Sequence, residues 1–275
     1  AGRVISGINP QATTPAWMAE KLRRCGLRSH SLLVDITNYV LLALGQPMHA
    51  FDLDQLQGDL CVRLSTAGEQ LKLLNEQQVT LDDDTLLICD ERGAVALAGV
   101  MGGFDSRVTD QTQNIFLESA FFAPLAIAGR ARRYGLHTDA SQRYERGVDY
   151  QLPVLALEYA TQLIMQYAGG QVGAVVLAER AVDLPVRAAI HLTLAQTSRL
   201  LGFDVSAEFV VDSLQRLGMQ VSGDAAGWTV IPPSHRFDLS IAEDLIEEVA
   251  RIFGYDNIPV RLPVLSLQLQ PTTDH

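Results

Sequence analysis

Five short segments gather side chains able to do chemistry. The first, Gly45-Gln46-Pro47-Met48-His49-Ala50-Phe51-Asp52, sets one histidine among apolar neighbours. An imidazole titrates near neutrality and can orient a water or move a proton. Gly45 and Pro47 place His49 on a loop after a helix, where functional groups gather. A lone histidine beside apolar residues is more often structural than catalytic. The second segment, Gly99-Val100-Met101-Gly102-Gly103, has paired glycines that let a ligand or another backbone come close. A tight turn at positive φ is the alternative. Its spacing is not the glycine pattern of a dinucleotide-binding loop. In the third, Phe116-Leu117-Glu118-Ser119-Ala120-Phe121-Phe122, a carboxylate stands in an apolar and aromatic run. Burying it costs several kcal/mol unless it is partnered. Strand alternation can equally well turn it to water.

The fourth segment, residues 129–147, holds five arginines against Asp139 and Glu145, a local excess of three positive charges in a chain of net charge −11. Arg130, Arg132, Arg133 and Arg143 offer bidentate phosphate contacts, and the interleaved Tyr134 and Tyr144 offer stacking surfaces for bases. Solvated helix faces with internal ion pairs explain the same residues. In the fifth, Ser240 and Glu243 read as a capping box that starts a helix. Its buried stripe is Leu245, Ile246, Val249, Ile252 and Phe253, closed by Gly254. Asp244, Glu247 and Glu248 share the other face, with Asp238 just ahead. Four carboxylates there suit a hard cation such as Mg²⁺; an acidic first turn favoured by the helix dipole is the competing account.

These residues need elements to hold them. Thr14-Pro15 opens a helix through Trp17, Met18 and Leu22. Leu32 to Leu44 has helical apolar spacing, although Val34, Ile36, Thr37 and Val40 also suit a strand. Between 60 and 120 the pattern turns to short strands. Cys61–Leu64 is followed by hairpins pairing Gln70–Leu74 with Val79–Leu81 and Thr85–Cys89 with Ala94–Ala98, then by Ile115–Leu117. A mixed sheet flanked by helices is expected, closed by a helix over 152–168. Residues 171–187 lose periodicity and read as a linker. Beyond it, helices at Leu194–Leu201 and Ala207–Leu217, a strand pair flanking Gly227 and a last helix predict a small winged-helix-like unit. The expected fold class is α+β, with domains 1–187 and 188–265 and a tail 266–275.

Composition narrows the function. In 275 residues, 48% are hydrophobic, enough for a real core, and 32 acidic against 21 basic residues argue against a global positive field for coating nucleic acid. Cys25, Cys61 and Cys89 are widely spaced, with no CxxC pair, so a disulfide scaffold or zinc knuckle is not expected. No apolar run approaches the ~18 residues of a membrane span, and no leader precedes the first strand-like run. A cytoplasmic piece of a longer protein is the expectation.

Taken in order, VDITNYV…GQPMHAFD, GVMGG, FLESAFF, RARRYGLHTDASQRYERGVD and RFDLSIAEDLIEEVARIFGYDNIP resemble the central part of the bacterial phenylalanyl-tRNA synthetase β subunit, over about residues 1–265. Any one motif is weak; five in this order are specific. The resemblance implies that residues 1–187 form an editing module that hydrolyses tyrosine wrongly attached to phenylalanine tRNA. It places the pocket on His49, the pair Gly102 and Gly103, Glu118, Thr138 and Ala140. It makes 188–265 a small unit packing beside the α subunit of a heterotetramer, with a Mg²⁺ site on Asp238, Asp244, Glu247 and Glu248 shared with that subunit. ATP is then used by the whole enzyme and not bound by this piece.

The chemistry is coherent. A pocket shaped for a phenyl ring rejects the same ring plus a hydroxyl only weakly, so a second site must reward the phenol. Glu118 can accept that hydroxyl, while Gly102 and Ala140 leave room for the ring. The ester is already activated, so a positioned water suffices, with His49 orienting it or the terminal ribose. Two other readings share features with this one: a module that holds the tRNA end or a partner subunit without turnover, and a winged-helix DNA-binding protein. The acidity of residues 238–251 speaks against DNA.

Overall fold

The structure is a computed structural model that describes residues 1–260. The end of the expected second domain and the expected tail lie outside the described residues. The chain divides into two compact units at Pro185/Val186. No helix among the described residues is long and apolar enough to cross a membrane.

The first unit runs β1 (Gly2–Ser6), α1 (Ala16–Arg24), α2 (Leu32–Leu44), β2 (Met48–Asp52), β3 (Cys61–Leu64), β4 (Gln70–Lys72) and β5 (Gln78–Thr80). It continues with β6 (Leu86–Asp90), β7 (Gly93–Leu97), β8 (Met101–Gly102), β9 (Ile115–Ser119), the single turns α3 (Pro124–Ile127) and α4 (Arg130–Arg133), α5 (Asp139–Arg146), α6 (Pro153–Tyr167) and β10 (Gln171–Val172). The strands lie in several small sheets, and every named pairing is antiparallel, where the sequence reading has one mixed sheet. Short connections such as the turn between β6 and β7 allow only antiparallel neighbours.

The sheet that matters most has the order β10-β1-β9-β2. Alternation along β9 sends Ile115 and Leu117 into a core shared with α1, α2 and α6, which leaves Phe116 and Glu118 on the opposite face. The same core settles the ambiguity of residues 32–44. A helix buries Leu32, Leu33, Ile36, Val40 and Leu41 together, and Gly45 ends it at φ 79°. α1 starts one residue later than expected. Pro15 is the cap, and the Thr14 hydroxyl instead donates to the buried Asp35, 2.5 Å away. The expected linker contributes β10, which pairs with β1 as an edge strand.

A second layer is built from the sheet β3-β6-β7-β8 and the β4/β5 hairpin, around Phe51, Leu73, Leu87 and Leu97. Tyr144 of α5 joins that core, so α5 is held against the β7–β8 turn.

The second unit runs β11 (Ile190–Leu192), α7 (Leu194–Leu201), α8 (Ala207–Arg216), β12 (Gln220–Asp224), β13 (Gly227–Ile231) and α9 (Ala242–Phe253). Among the described residues its sheet has three strands, in the order β11-β13-β12, where a two-stranded ribbon is expected. The third strand, Ile-His-Leu, is too short to show a period. Leu192, Val210, Leu214, Trp228, Val230, Leu245 and Val249 form its core. The expected capping box shifts by one residue. Ile241 is the cap position, and the Asp244 carboxylate reaches back to accept from the backbone N–H of Ser240 and Ile241, at 2.7 and 3.0 Å.

Candidate active site

Register does the first work. In the β2/β9 ladder His49 stands directly opposite Glu118, and in the β1/β9 ladder Glu118 stands opposite Gly2. Directly opposed residues project on the same face about 5 Å apart. Two side chains 69 positions apart in sequence therefore share one wall. His49 belongs to a strand and not to the expected loop, because Met48 to Asp52 complete the sheet edge beside β9.

That wall closes a cleft of about 70 Å³ lined by His49, Gly102, Glu118, Phe122, Ala140 and Tyr144, with apolar residues of β6, β7 and the β7–β8 turn. It is far smaller than the ~300–1,000 Å³ of pockets that enclose a drug-sized ligand, so it suits one side chain or one ester group. Gly102 is required by close approach: a Cβ there would fall 2.4 Å from His49 Cε1. Phe51 steadies the ring edge-to-face at a centroid distance of 4.5 Å.

Burial sets the protonation states. It lowers the His49 imidazole to about 4, so the ring is neutral at pH 7. Its Nε2 is buried without a hydrogen-bond partner among the described residues. Burial raises the Glu118 carboxyl to about 7, poised between acid and base. Among the described residues the cleft lining contains no serine, threonine or cysteine. Its one hydroxyl, on Tyr144, is already committed to the carbonyl oxygens of Ala120 (2.9 Å) and Pro47 (3.3 Å). A neutral imidazole with a vacant nitrogen, opposite a carboxyl that titrates near 7, can bind and orient a water. It offers no covalent nucleophile.

The remaining expected pocket residues support the cleft without lining it. Thr138 caps α5, accepting from Ser141 N–H at 3.1 Å, and donates its hydroxyl to Val100 O at 2.9 Å. It thereby ties Ala140 to the β7–β8 turn. Gly103 faces the other way, where a Cβ would meet Val95 O at 2.5 Å. Sequence reasoning missed Gln46 and Tyr144 as positioning residues. Fully buried Gln46 donates through Nε2 to Ala120 O (2.7 Å) and Pro47 O (3.0 Å), the same two carbonyls that Tyr144 holds. These carbonyls lie two residues from Glu118 and from His49. The visible signal is that Tyr144 follows Ala140 by four residues, on one face of α5.

The arginine segment is largely neutralised. Arg130 pairs with Asp84 at 2.9 Å, Arg133 bridges Asp82 and Asp84, and Arg143 pairs with Asp139. Of the four expected phosphate contacts, Arg132 alone is exposed without an ion pair among the described residues. The local charge count could not include Asp82 and Asp84, which come from a distant loop.

The four expected Mg²⁺ ligands do not form a donor set as folded. Arg236 donates to Asp238 (2.7 Å) and to Glu248 (2.8 Å), and Glu248 also pairs with Arg251. The Arg236 guanidinium holds Asp238 below the usual carboxylate range, and two backbone N–H groups do the same for Asp244. Glu247 is exposed. Among the described residues no group of three His, Cys, Asp or Glu is arranged to hold a metal ion.

Comparison with known proteins places this geometry in a family. The B3/4 domain profile matches residues 1–169, and the tRNA synthetase B5 domain profile matches residues 190–255. The phenylalanine–tRNA ligase beta subunit of Acinetobacter baylyi is 58% identical over all of this chain and 35% of its own length. That of Xanthomonas euvesicatoria is 59% identical over 95% of this chain and 33% of its own. A solved N-terminal fragment of the phenylalanyl-tRNA synthetase beta-subunit from Pyrococcus horikoshii is 14% identical, with a TM-score of 0.41, over 92% of this chain and 70% of that one. The chain spans about a third of the curated relatives it matches. It belongs to the B3/4 domain family, carries a B5 domain after it, and is homologous to about a third of the length of bacterial phenylalanine–tRNA ligase beta subunits.

Proposed function

We propose that the first unit hydrolyses the ester joining tyrosine to a tRNA meant for phenylalanine. It would act as the editing part of an ATP-dependent ligase whose α subunit and remaining β domains lie on other stretches of chain. The observation that carries this reading is the His49–Glu118 pair, opposed across one ladder at the wall of a cleft sized for one side chain. Glu118 accepts the phenol hydroxyl of tyrosine; phenylalanine leaves that carboxyl desolvated and unpaired, which costs about 1–3 kcal/mol. Neutral His49 orients the attacking water through Nε2 or holds the terminal ribose beside it. Ala140 leaves space for the ring, and Gly102 lets the His49 imidazole lie close against β8. The domain limits of 1–187 and 188–265, the α-subunit contact of the second unit and a cytoplasmic setting go with this proposal.

Substitution separates turnover from mere binding. His49→Ala should lower kcat for tyrosyl-tRNA deacylation by about 10²-fold or more, the usual yield of a positioned acid–base group, and Glu118→Ala should erase the preference for tyrosyl- over phenylalanyl-tRNA. Binding of the charged tRNA end with no release of amino acid by the unsubstituted chain, weakened in both variants, would favour a module that holds the tRNA end without hydrolysing it.

A further inference from the structure

The cleft has a neighbour that carries unbalanced positive charge. Beyond β4 and β8 the two segments run on as an antiparallel ribbon. Phe104 N–H donates to Lys72 O (2.9 Å), Leu73 bridges Gly103, and Leu74 N–H donates to Gly102 O (3.1 Å). Lys72, Leu74, Gly102 and Phe104 therefore share one face. It is the cleft face, since a Cβ on Gly102 would press on the His49 ring. Lys72 Nζ lies 3.8 Å from the Phe104 ring centroid and Arg107 Cζ lies 3.5 Å from the same centroid, distances that put the two cations on opposite sides of the ring. Arg107 is fixed further by donating to Phe104 O at 2.6 Å.

Two like charges gathered on one ring repel, and the ring's quadrupole offsets only part of that. Among the described residues neither cation has a carboxylate partner, whereas Arg130, Arg133 and Arg143 all do. In a chain of net charge −11 such a pair calls for an anion from outside. Its position names one. Lys72 and Phe104 sit two residues along the ribbon from Leu74 and Gly102, about 7 Å at ~3.3 Å per residue. In an aminoacyl-tRNA the 5′ phosphate of the terminal nucleotide lies one ribose from the ester, a span of the same order.

We infer that Lys72 and Arg107, seated on Phe104, hold the 5′ phosphate of the terminal nucleotide whose ester enters the cleft at Gly102. The inference rests on the proposed ester-hydrolysing function of that cleft. It moves the phosphate contact from the arginine-rich helices to the cleft's own rim. Arg107 supplies a planar fork and Lys72 a mobile point charge, a combination suited to a phosphate that is exchanged at every turnover.

The test uses two non-hydrolysable probes, adenosine carrying tyrosine in amide linkage at the 3′ position, with and without a 5′ phosphate, titrated into this chain. The phosphorylated probe should bind about tenfold more tightly, and its log affinity should fall with log salt. Lys72→Gln with Arg107→Gln should abolish the preference and flatten the salt slope by about 0.7 per lost contact. Lys72→Arg, which keeps the charge, should retain it. Equal affinity for both probes, or a preference that survives the double substitution, overturns the phosphate assignment and leaves the cleft reading standing. Inorganic phosphate competing as well as the phosphorylated probe assigns the pair to free phosphate and overturns the RNA-end assignment. Binding of neither probe overturns both readings.

Discussion

At the scale of residues, the cleft is governed by what fits beside His49 and by where Glu118 keeps its proton. Gly102→Ala places a methyl 2.4 Å from the imidazole, so His49 must shift. Deacylation of tyrosyl-tRNA should fall by about 10²-fold, the typical cost of a 1 Å misplacement. Ala140→Trp should abolish it by filling the ring's space while the fold persists. Wild-type rates in either variant would remove these residues from the site. The protonation of Glu118 makes a separate prediction. Burial raises it from the ordinary 4.5 to about 7, so the fold favours the protonated form. That stabilising contribution is complete below the unfolded value and is lost as pH rises through 7, where the buried carboxylate ionises. Glu118→Gln should therefore stabilise the chain by about 2 kcal/mol more at about pH 8.5 than at about pH 5.5, at 1.36 kcal/mol per unit. Denaturant melts at the two values check this; a pH-independent difference would mean that Glu118 is solvated. His49 acts in the opposite sense and lower down, costing stability as pH falls from 6.5 toward 4.

At the scale of elements, α5 is the part whose placement decides whether the cleft exists. Thr138 caps it and binds Val100 O with the same hydroxyl, which fixes Ala140 against the β7–β8 turn. Thr138→Val should cost about 1 kcal/mol of stability, the usual worth of a cap. It should also raise KM for the mischarged tRNA more than it lowers kcat, because the wall loosens while His49 and Glu118 stay on their strands. Equal losses in both parameters would place Thr138 among the groups that touch substrate. The helices and hairpins of this unit were legible because their apolar periods are long or their turns well marked. α2 ends at Gly45, and the β4/β5 and β6/β7 hairpins occur where alternation and turn residues coincide. β10 and β11 were not, since two or three residues carry no period. The assignment of His49 to a loop failed because Pro47 and Gly45 signal a break in the helix but do not say that the chain re-enters a sheet one residue later.

At the scale of the whole molecule, four residues from the ordered motifs, His49, Gly102, Glu118 and Ala140, line one cleft, while Gly103 and Thr138 from the same motifs do not; the B3/4 and B5 matches follow the order of the motifs. Charge was the least legible quantity. Summing signs over residues 129–147 makes a basic patch, yet Asp82 and Asp84 fold back to pair with Arg130 and Arg133. Likewise the acidic face of α9 reads as a cation site until Arg236 is seen between Asp238 and Glu248. Ion pairs between distant segments are a property of the fold, and a local count cannot contain them. Register is the converse case: once β2 and β9 pair, His49 and Glu118 meet without further instruction. The central claim is that this cleft clears the wrong amino acid from its tRNA, and it is tested most directly by offering the chain tyrosyl- and phenylalanyl-tRNA made with the same phenylalanine tRNA. The account predicts loss of tyrosine with phenylalanine retained; equal release of both, or of neither by a chain shown to be folded, would contradict it.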